Sequence, residues 1–436
     1  MVKNFGSNII KYGPHIFQSS QNLVLRTAGA TFPRATDNNN TAKIILDFSA
    51  STNVIIDFGN GTIITYSAAF ISAGLYRFKM YQVGSSAVYS PASYETAAYN
   101  YPDASTNANR IVTINFDRNL LKACTVNLMY LLAQDFIFGF DRYPNLATFS
   151  VAQIGPSQAG AVLNLNWDGS TILSQLSSLT INTCFAASSR YYGTIPSFFF
   201  LMPIQQLAVG DQGMSSKTFA QSKLDQIYLL SSTLNSLTLQ NIALTDNNSG
   251  AGPLPSNFSS LTNLQTLKLL SPSYTAIPSV VNSITSLTTL YCAFVSSVTS
   301  YGDISALTNL VLLGVQANYN IPTTIPSYFS GLTKLKTWDL RNCFKTQTRI
   351  DTAISNIYSF IITNAPITGT SASSFRSMIF NVDIFSVGDG TAIPSGTYQQ
   401  PSGYVSGSNN GSPASSLEMI WVMVHQYAHT WTYRAS

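Results

Sequence analysis

One pattern constrains this chain more than any other. An apolar element of the form Leu-x-x-Leu-x-Leu begins at Leu146, Leu176, Ile204, Leu234, Leu264, Leu287, Leu310, Leu335 and, weakly, Ile357, at intervals of 30, 28, 30, 30, 23, 23, 25 and 22 residues. The cleanest copies run Leu264-Gln265-Thr266-Leu267-Lys268-Leu269 and Leu335-Lys336-Thr337-Trp338-Asp339-Leu340. In each, the alternating core is a short strand with every second side chain turned inward. A single copy cannot hide its leucines, whereas a stack of eight or nine can, so the copies must pile on one another.

A second mark shares the phase of the first. Ile195-Pro196, Leu254-Pro255, Ile277-Pro278 and Ile325-Pro326 precede the next repeat start by 9, 10, 10 and 10 residues. Proline fixes φ and donates no backbone hydrogen bond, so each pair marks a bend rather than a further strand. Short segments such as 256–261 and 327–332 then return the chain along the outer side. These residues resemble the leucine-rich repeat superfamily, and Gly193-Thr194-Ile195-Pro196 resembles its plant extracellular Ile-Pro subclass. The resemblance covers about residues 120 to 385 and implies a β-rich α/β solenoid. The position after the strand, usually Asn or Cys in that superfamily, reads Cys184, Asn318 and Cys343 in three copies but Gln212, Ile242, Pro272 and Val295 in others, which predicts a patchy internal ladder.

Ahead of the repeats, alternating apolar runs at 43–48, 54–58, 62–66, 75–80 and 111–116 predict strands, with Gly59-Asn60-Gly61 as a hairpin signal between two of them. The expected organisation is an extended arm over 1–40, a small β-sandwich module over 41–118, the solenoid over 119–385, and a Gly/Ser-rich linker with a C-terminal cap over 386–436. The Asp57–Thr62 hairpin also resembles those of β-sandwich modules in Bacteroidetes surface proteins, and the segments 396–404 and 418–424 resemble closing segments of repeat proteins from that group and its bacteriophages.

Composition narrows the function. Of 436 residues only 9% are charged, against roughly 25% in ordinary soluble proteins, so the surface is built from hydroxyls and amides. The net charge of +4 comes without any Lys/Arg run, which argues against nucleic acid as a partner. No 18-residue apolar window and no signal-like start predict a chain without a membrane span or an export address. Cys124, Cys184, Cys292 and Cys343 are widely spaced, so they are expected as buried thiols rather than disulfides or metal ligands.

Catalytic constellations are sparse. His425-Gln426-Tyr427-Ala428-His429 resembles a His-Glu-x-x-His zinc motif but puts Gln where the general base belongs. As a strand it would set both histidines on one face with Trp431. His15 is the other histidine, and Glu95 and Glu418 are the two glutamates. No Gly-x-Ser-x-Gly elbow occurs, and Ile64 stands where a dinucleotide fingerprint needs its last Gly. The expectation is therefore a non-enzyme without cofactor or metal.

Repeat proteins commonly bind through the strand positions between the inward leucines. Here those positions are small, polar and almost neutral, and the expected ligand-binding residues are Gln206, Gln240, Lys268, Tyr291, Gln316, Asp339 and Arg341. The resemblance to Bacteroidetes surface repeats points to a bacteriophage virion protein on a tail or capsid, recognising a host-surface glycan or protein through the solenoid. Other virion proteins would contact its N-terminal region, within a homo-oligomer. A purely structural virion component and a bacterial cell-surface adhesin are the alternatives.

Overall fold

A computed structural model describes residues 9–12, 15–18, 23–28, 31–33, 42–82, 92–103, 109–129, 137–139, 142–155, 165–166, 173–182, 197–210, 226–240, 254–270, 274–293, 299–316, 320–382 and 393–433. The chain divides into two units, Met1–Phe219 and Ala220–Ser436. The Gly193–Pro196 motif and Cys184, Gln212, Ile242, Pro272, Val295 and Asn318 lie outside the described residues.

The first unit contains strands β1 (Leu23–Ala28), β2 (Ala42–Phe48), β3 (Asn53–Asp57), β4 (Ile63–Ser67), β5 (Leu75–Gln82), β6 (Asn109–Asn115), β7 (Leu121–Met129), β8 (Thr148–Gly155), β9 (Ser178–Asn182) and β10 (Gln206–Gly210). All five strands expected between 41 and 118 are present, but they belong to two sheets. One runs β5-β2-β7-β8-β9-β10, so module strands and repeat strands are hydrogen-bonded members of the same ladder. It is antiparallel as far as β7 and parallel from β7 onward. The other sheet holds β1, β6, β3 and β4, and the Tyr66 and Phe78 rings, one from each sheet, meet at 5.4 Å.

The extended arm expected over 1–40 needs correction where it is described. Residues 23–28 form β1, paired antiparallel to β6, with Leu23 and Leu25 fully buried. The apolar 23–25 stretch has a sheet face to cover, and that burial outweighs the freedom of an arm. The Asn-Gly hairpin is as expected: Asp57 and Asn60 side chains accept from the Gly59 and Thr62 amides. A Cβ on Gly59, at φ +73, would lie 2.3 Å from the Ile111 carbonyl oxygen.

The second unit carries β11 (Ser236–Gln240), β12 (Thr266–Leu270), β13 (Thr289–Ala293), β14 (Leu312–Gln316), β15 (Thr337–Asp339), β16 (Ile379–Asn381) and β17 (Thr430–Thr432), all parallel and in sequential order. From Leu146 to Leu335, each repeat has a strand that starts two residues after its repeat start. Inward leucines such as Leu264, Leu267, Leu287, Leu290 and Leu313 are fully buried, each contributing roughly 1.5–3 kcal/mol relative to exposure. The prolines do what their phase predicts. Pro255, Pro278 and Pro326, at φ −54 to −60, each cap a single 3-10 turn that buries Phe258, Val281 or Phe329.

Of the ladder positions after the strand only Cys343 is described, and rung-to-rung bonds are also made ahead of the strand. After the strand, Cys343 Sγ donates to the Val315 carbonyl of the preceding rung at 2.7 Å. Before the strand, asparagines immediately ahead of the repeat start reach back one period. Asn145 donates to Asn119 in the first unit, and in the second Asn263 donates to Ser231 and Ser232 and Asn309 to Thr285, at 2.7–3.3 Å.

The repeat expected at Ile357 is absent. Residues Gln347–Asn364 form an α-helix, α1, whose N-cap Thr346 accepts from the Arg349 amide, and the next rung is β16. Ile350, Ile354, Ile357 and Ile361 recur every three or four residues and all are buried, so the helical period wins over the strand period. The segment between α1 and β16 is held by two cations. Lys336 Nζ donates to the Ser371, Ser373 and Arg376 carbonyls, and Arg376 donates to those of Pro366, Ile367 and Gln426.

Downstream, the linker composition proves ordered where it is described. A hairpin pairing Tyr404–Val405 with Asn409–Asn410 lies along a second helix, α2 (Ser416–Tyr427). The Tyr404 hydroxyl and Gly407 amide donate to Gln426, and Asn410 bonds the Tyr427 hydroxyl. The tail then adds β17 beside β16, so it extends the ladder itself.

Candidate functional site

Strand alternation divides each rung of the second unit into a buried row and an open row. Register places Thr238, Lys268, Tyr291, Gly314, Asp339, Asn381 and Thr432 side by side on the row away from the leucines, with Ser236, Thr266, Thr289, Leu312, Thr337, Ile379 and Thr430 beside them; Gly314 and Asp339 are themselves buried there. Parallel strands lie roughly 4.8 Å apart, so neighbours along either row are within reach of one another.

The expected residues converge on β13–β15. The Asp339 carboxylate accepts from Arg341 Nε at 2.8 Å and from its terminal nitrogen at 2.6 Å, a two-pronged ion pair, and from Gln316 Nε2 at 2.8 Å. Arg341 also hydrogen-bonds the Tyr291 hydroxyl. That hydroxyl belongs to β13 and its partner follows β15, so the ring must lie along the sheet across β14 rather than stand away from it. Gly314 makes this possible. A Cβ there would come within 2.3 and 2.5 Å of Tyr291 Cδ2 and Cε2, so any side chain would displace the ring.

Electrostatics fix the protonation of the cluster. The Asp339 hydrogen bond raises the Arg341 pKa further above its usual range. Partial burial and then the Asp339 charge push the Tyr291 phenol up, against the opposing effect of Arg341, and it stays protonated. Arg341 and Asp339 cancel each other's charge. Lys268, exposed beside Tyr291 in register, has no hydrogen-bond or ion-pair partner among the described residues.

Two expected residues stand apart. Gln240 ends β11, opposite Leu270 and one rung before Lys268. Gln206 is exposed at the start of β10 in the first unit, beside Ser178 and Thr148. Gly314, Asn381 and Thr432 were not among the expected site residues. Asn381 and Gly314 both have a sequence signal for the face, the alternation of buried Phe380 and Val382 around Asn381 and of Leu313 and Val315 around Gly314; the role of Gly314 has none, since it depends on a neighbour 23 residues away.

The motif at 425–429 is corrected by the fold. His425 is the last-turn residue of α2, exposed and stacked on Trp421 at 3.9 Å, with Nδ1 on the Trp421 carbonyl. Ala428 turns the chain at φ +59, and His429 beyond it is buried with Nε2 on the Phe375 carbonyl. The two rings therefore do not share a strand face. Both glutamates are occupied: Glu95 pairs with Lys79 and the Ala92 amide, and Glu418 accepts from Gln399 and the Ala414 amide at 2.8 and 2.6 Å. Cys124, Cys292 and Cys343 are buried free thiols. Among the described residues no helix is long and apolar enough to cross a membrane.

The parallel strands of each unit, each two residues into its leucine repeat, fit a solenoid-like fold resembling leucine-rich repeats. No family model matches the chain, and no curated protein matches it. Among solved structures it is similar to a leucine-rich repeat protein of Leptospira interrogans, at 17% identity and a TM-score of 0.32, over 58% of this chain and 51% of that one. It is also similar to an internalin from Listeria monocytogenes, at 12% identity and a TM-score of 0.23, over 62% of this chain and 83% of that one. The chain thus spans about half the length of the Leptospira protein.

Proposed function

We propose that this chain is a non-catalytic recognition protein that engages a host-surface glycan or protein through the open strand face of its repeats, centred on Lys268, Tyr291, Gln316, Asp339 and Arg341. One observation carries the reading: Tyr291 is laid over Gly314 and tied to Arg341, which is itself locked on Asp339. An ordered, amphipathic side chain presented this way loses little conformational entropy on binding. The same interactions disfavour catalysis, since the one carboxylate of the cluster is neutralised by Arg341 and hydrogen-bonded by Gln316.

The setting we propose is the exterior of a bacteriophage particle, supported by the resemblance of the hairpin and closing segments to Bacteroidetes surface repeats. In that reading the facing sheets of residues 41–118 are a β-sandwich serving attachment to other virion proteins. The test is adsorption of fluorescently labelled protein to a panel of bacterial cells that includes Bacteroidetes. The variant combining Lys268→Ala, Tyr291→Ala and Arg341→Ala loses adsorption. Unchanged adsorption refutes the assignment of the face, and loss of particle assembly with binding intact supports a structural virion role instead.

A further inference from the structure

From the placement of Tyr291 over Gly314 we infer that this ring is a stacking platform for a neutral hexopyranose, making a neutral glycan the ligand of the strand face. The inference rests on the reading of that face as the binding surface. Three observations select this chemistry. First, the ring is pinned along the sheet on the one rung that has no side chain to lift it, and it remains partly open to solvent. An aromatic face carries negative π density, which the polarised C–H groups on one side of a pyranose can cover.

Second, the rim is chemically suited to sugar hydroxyls. Thr289 and Thr266 on the row beside the ring and the Lys268 ammonium, which has no partner among the described residues, supply donors and acceptors around it. Third, the charge pattern disfavours the competing ligands. A carboxylate or sulfate sugar would call for a free guanidinium, but Arg341 already grips Asp339 in two-pronged fashion. One exposed ammonium holds an anion only weakly and is screened by salt. A nucleobase could stack as well, but its phosphates need a cationic track that a face with one uncompensated lysine on these rungs does not provide.

The experiment is saturation-transfer NMR of the full chain with gluco-, galacto- and manno-hexaoses, a sialylated hexasaccharide and a single-stranded DNA hexamer. At least one neutral hexaose receives saturation, strongest on the C–H protons of one ring face, and its affinity is unchanged in 0.5 M salt, to within about twofold. Tyr291→Ala weakens it at least about tenfold, while Tyr291→Phe, which keeps the ring, stays within about threefold. Gly314→Val, which drives the ring off the sheet, behaves like Tyr291→Ala, with melting curves confirming that each variant is folded. Binding of none of the neutral hexaoses, binding only of the sialylated sugar or DNA, or equal affinity of Tyr291→Ala and wild type overturns the inference. If adsorption to cells nonetheless requires Tyr291, the strand face stands and only the ligand class falls; if it does not, both fall.

Discussion

Acid should loosen the C-terminal end of this protein through a single imidazole. His429 is buried between the Phe380 and Tyr427 rings, its Nε2–H donating to the Phe375 carbonyl and its Nδ1 without a partner among the described residues. A second proton would have to sit on that Nδ1, beside the charges of Arg376 and Lys336. Burial first, and those two cations after it, lower the His429 pKa from 6.5 to about 4, against the raising effect of its Phe375 hydrogen bond.

The folded form therefore holds the neutral ring, and between pH 6.5 and about 4 the unfolded chain binds a proton that the folded chain does not. Stability is at its full value above 6.5, falls as pH falls through that window, and flattens below about 4. At 1.36 kcal/mol per pH unit the loss is roughly 3 kcal/mol.

Urea unfolding followed by tryptophan fluorescence reads this well, because Trp338, Trp421 and Trp431 are three of the chain's four tryptophans and all lie in the second unit. Carboxylates such as Glu418, held low by its hydrogen bonds from Gln399 and Ala414, titrate in wild type and variant alike, so the relevant quantity is a difference. Between pH 7.5 and 4, wild type loses roughly 3 kcal/mol more than His429→Gln, which keeps a donor but cannot titrate. Equal losses in the two proteins refute the assignment of the acid sensitivity to His429.

Two further outcomes follow from the ladder and the thiols. Cys343→Ala leaves the buried Val315 carbonyl without its donor and costs roughly 1–3 kcal/mol in urea unfolding, while Cys343→Ser, which restores a donor, recovers most of it; equal losses would mean that the bond contributes nothing. Burial raises the Cys124 and Cys292 pKa values well above the ordinary thiol range, so iodoacetamide at pH 8 leaves both unmodified in native protein and labels both in urea, as peptide mass mapping reports. Labelling of either in native protein contradicts its burial.

The period of the leucines and the phase of the Ile-Pro pairs located one strand in each copy from Leu146 to Leu335, because a stacked repeat can bury its apolar face in only one register. Sequence also marked the open face, since alternation alone says which side chains point away from the core. It failed at Ile357, where the isoleucines of α1 satisfy a helical period as well as a weak repeat, and packing against the stack decided between them. It failed again at 396–411, whose composition reads as linker; the polar groups that order it are Gln426 and Tyr427, which only the fold brings alongside. At the candidate site the identities of Tyr291, Asp339 and Arg341 were legible, but their union was not. An ion pair two residues apart, an aromatic ring two rungs away and the missing side chain of Gly314 act together only when three strands lie side by side, and that adjacency is a property of the stacked sheet, not of any one repeat.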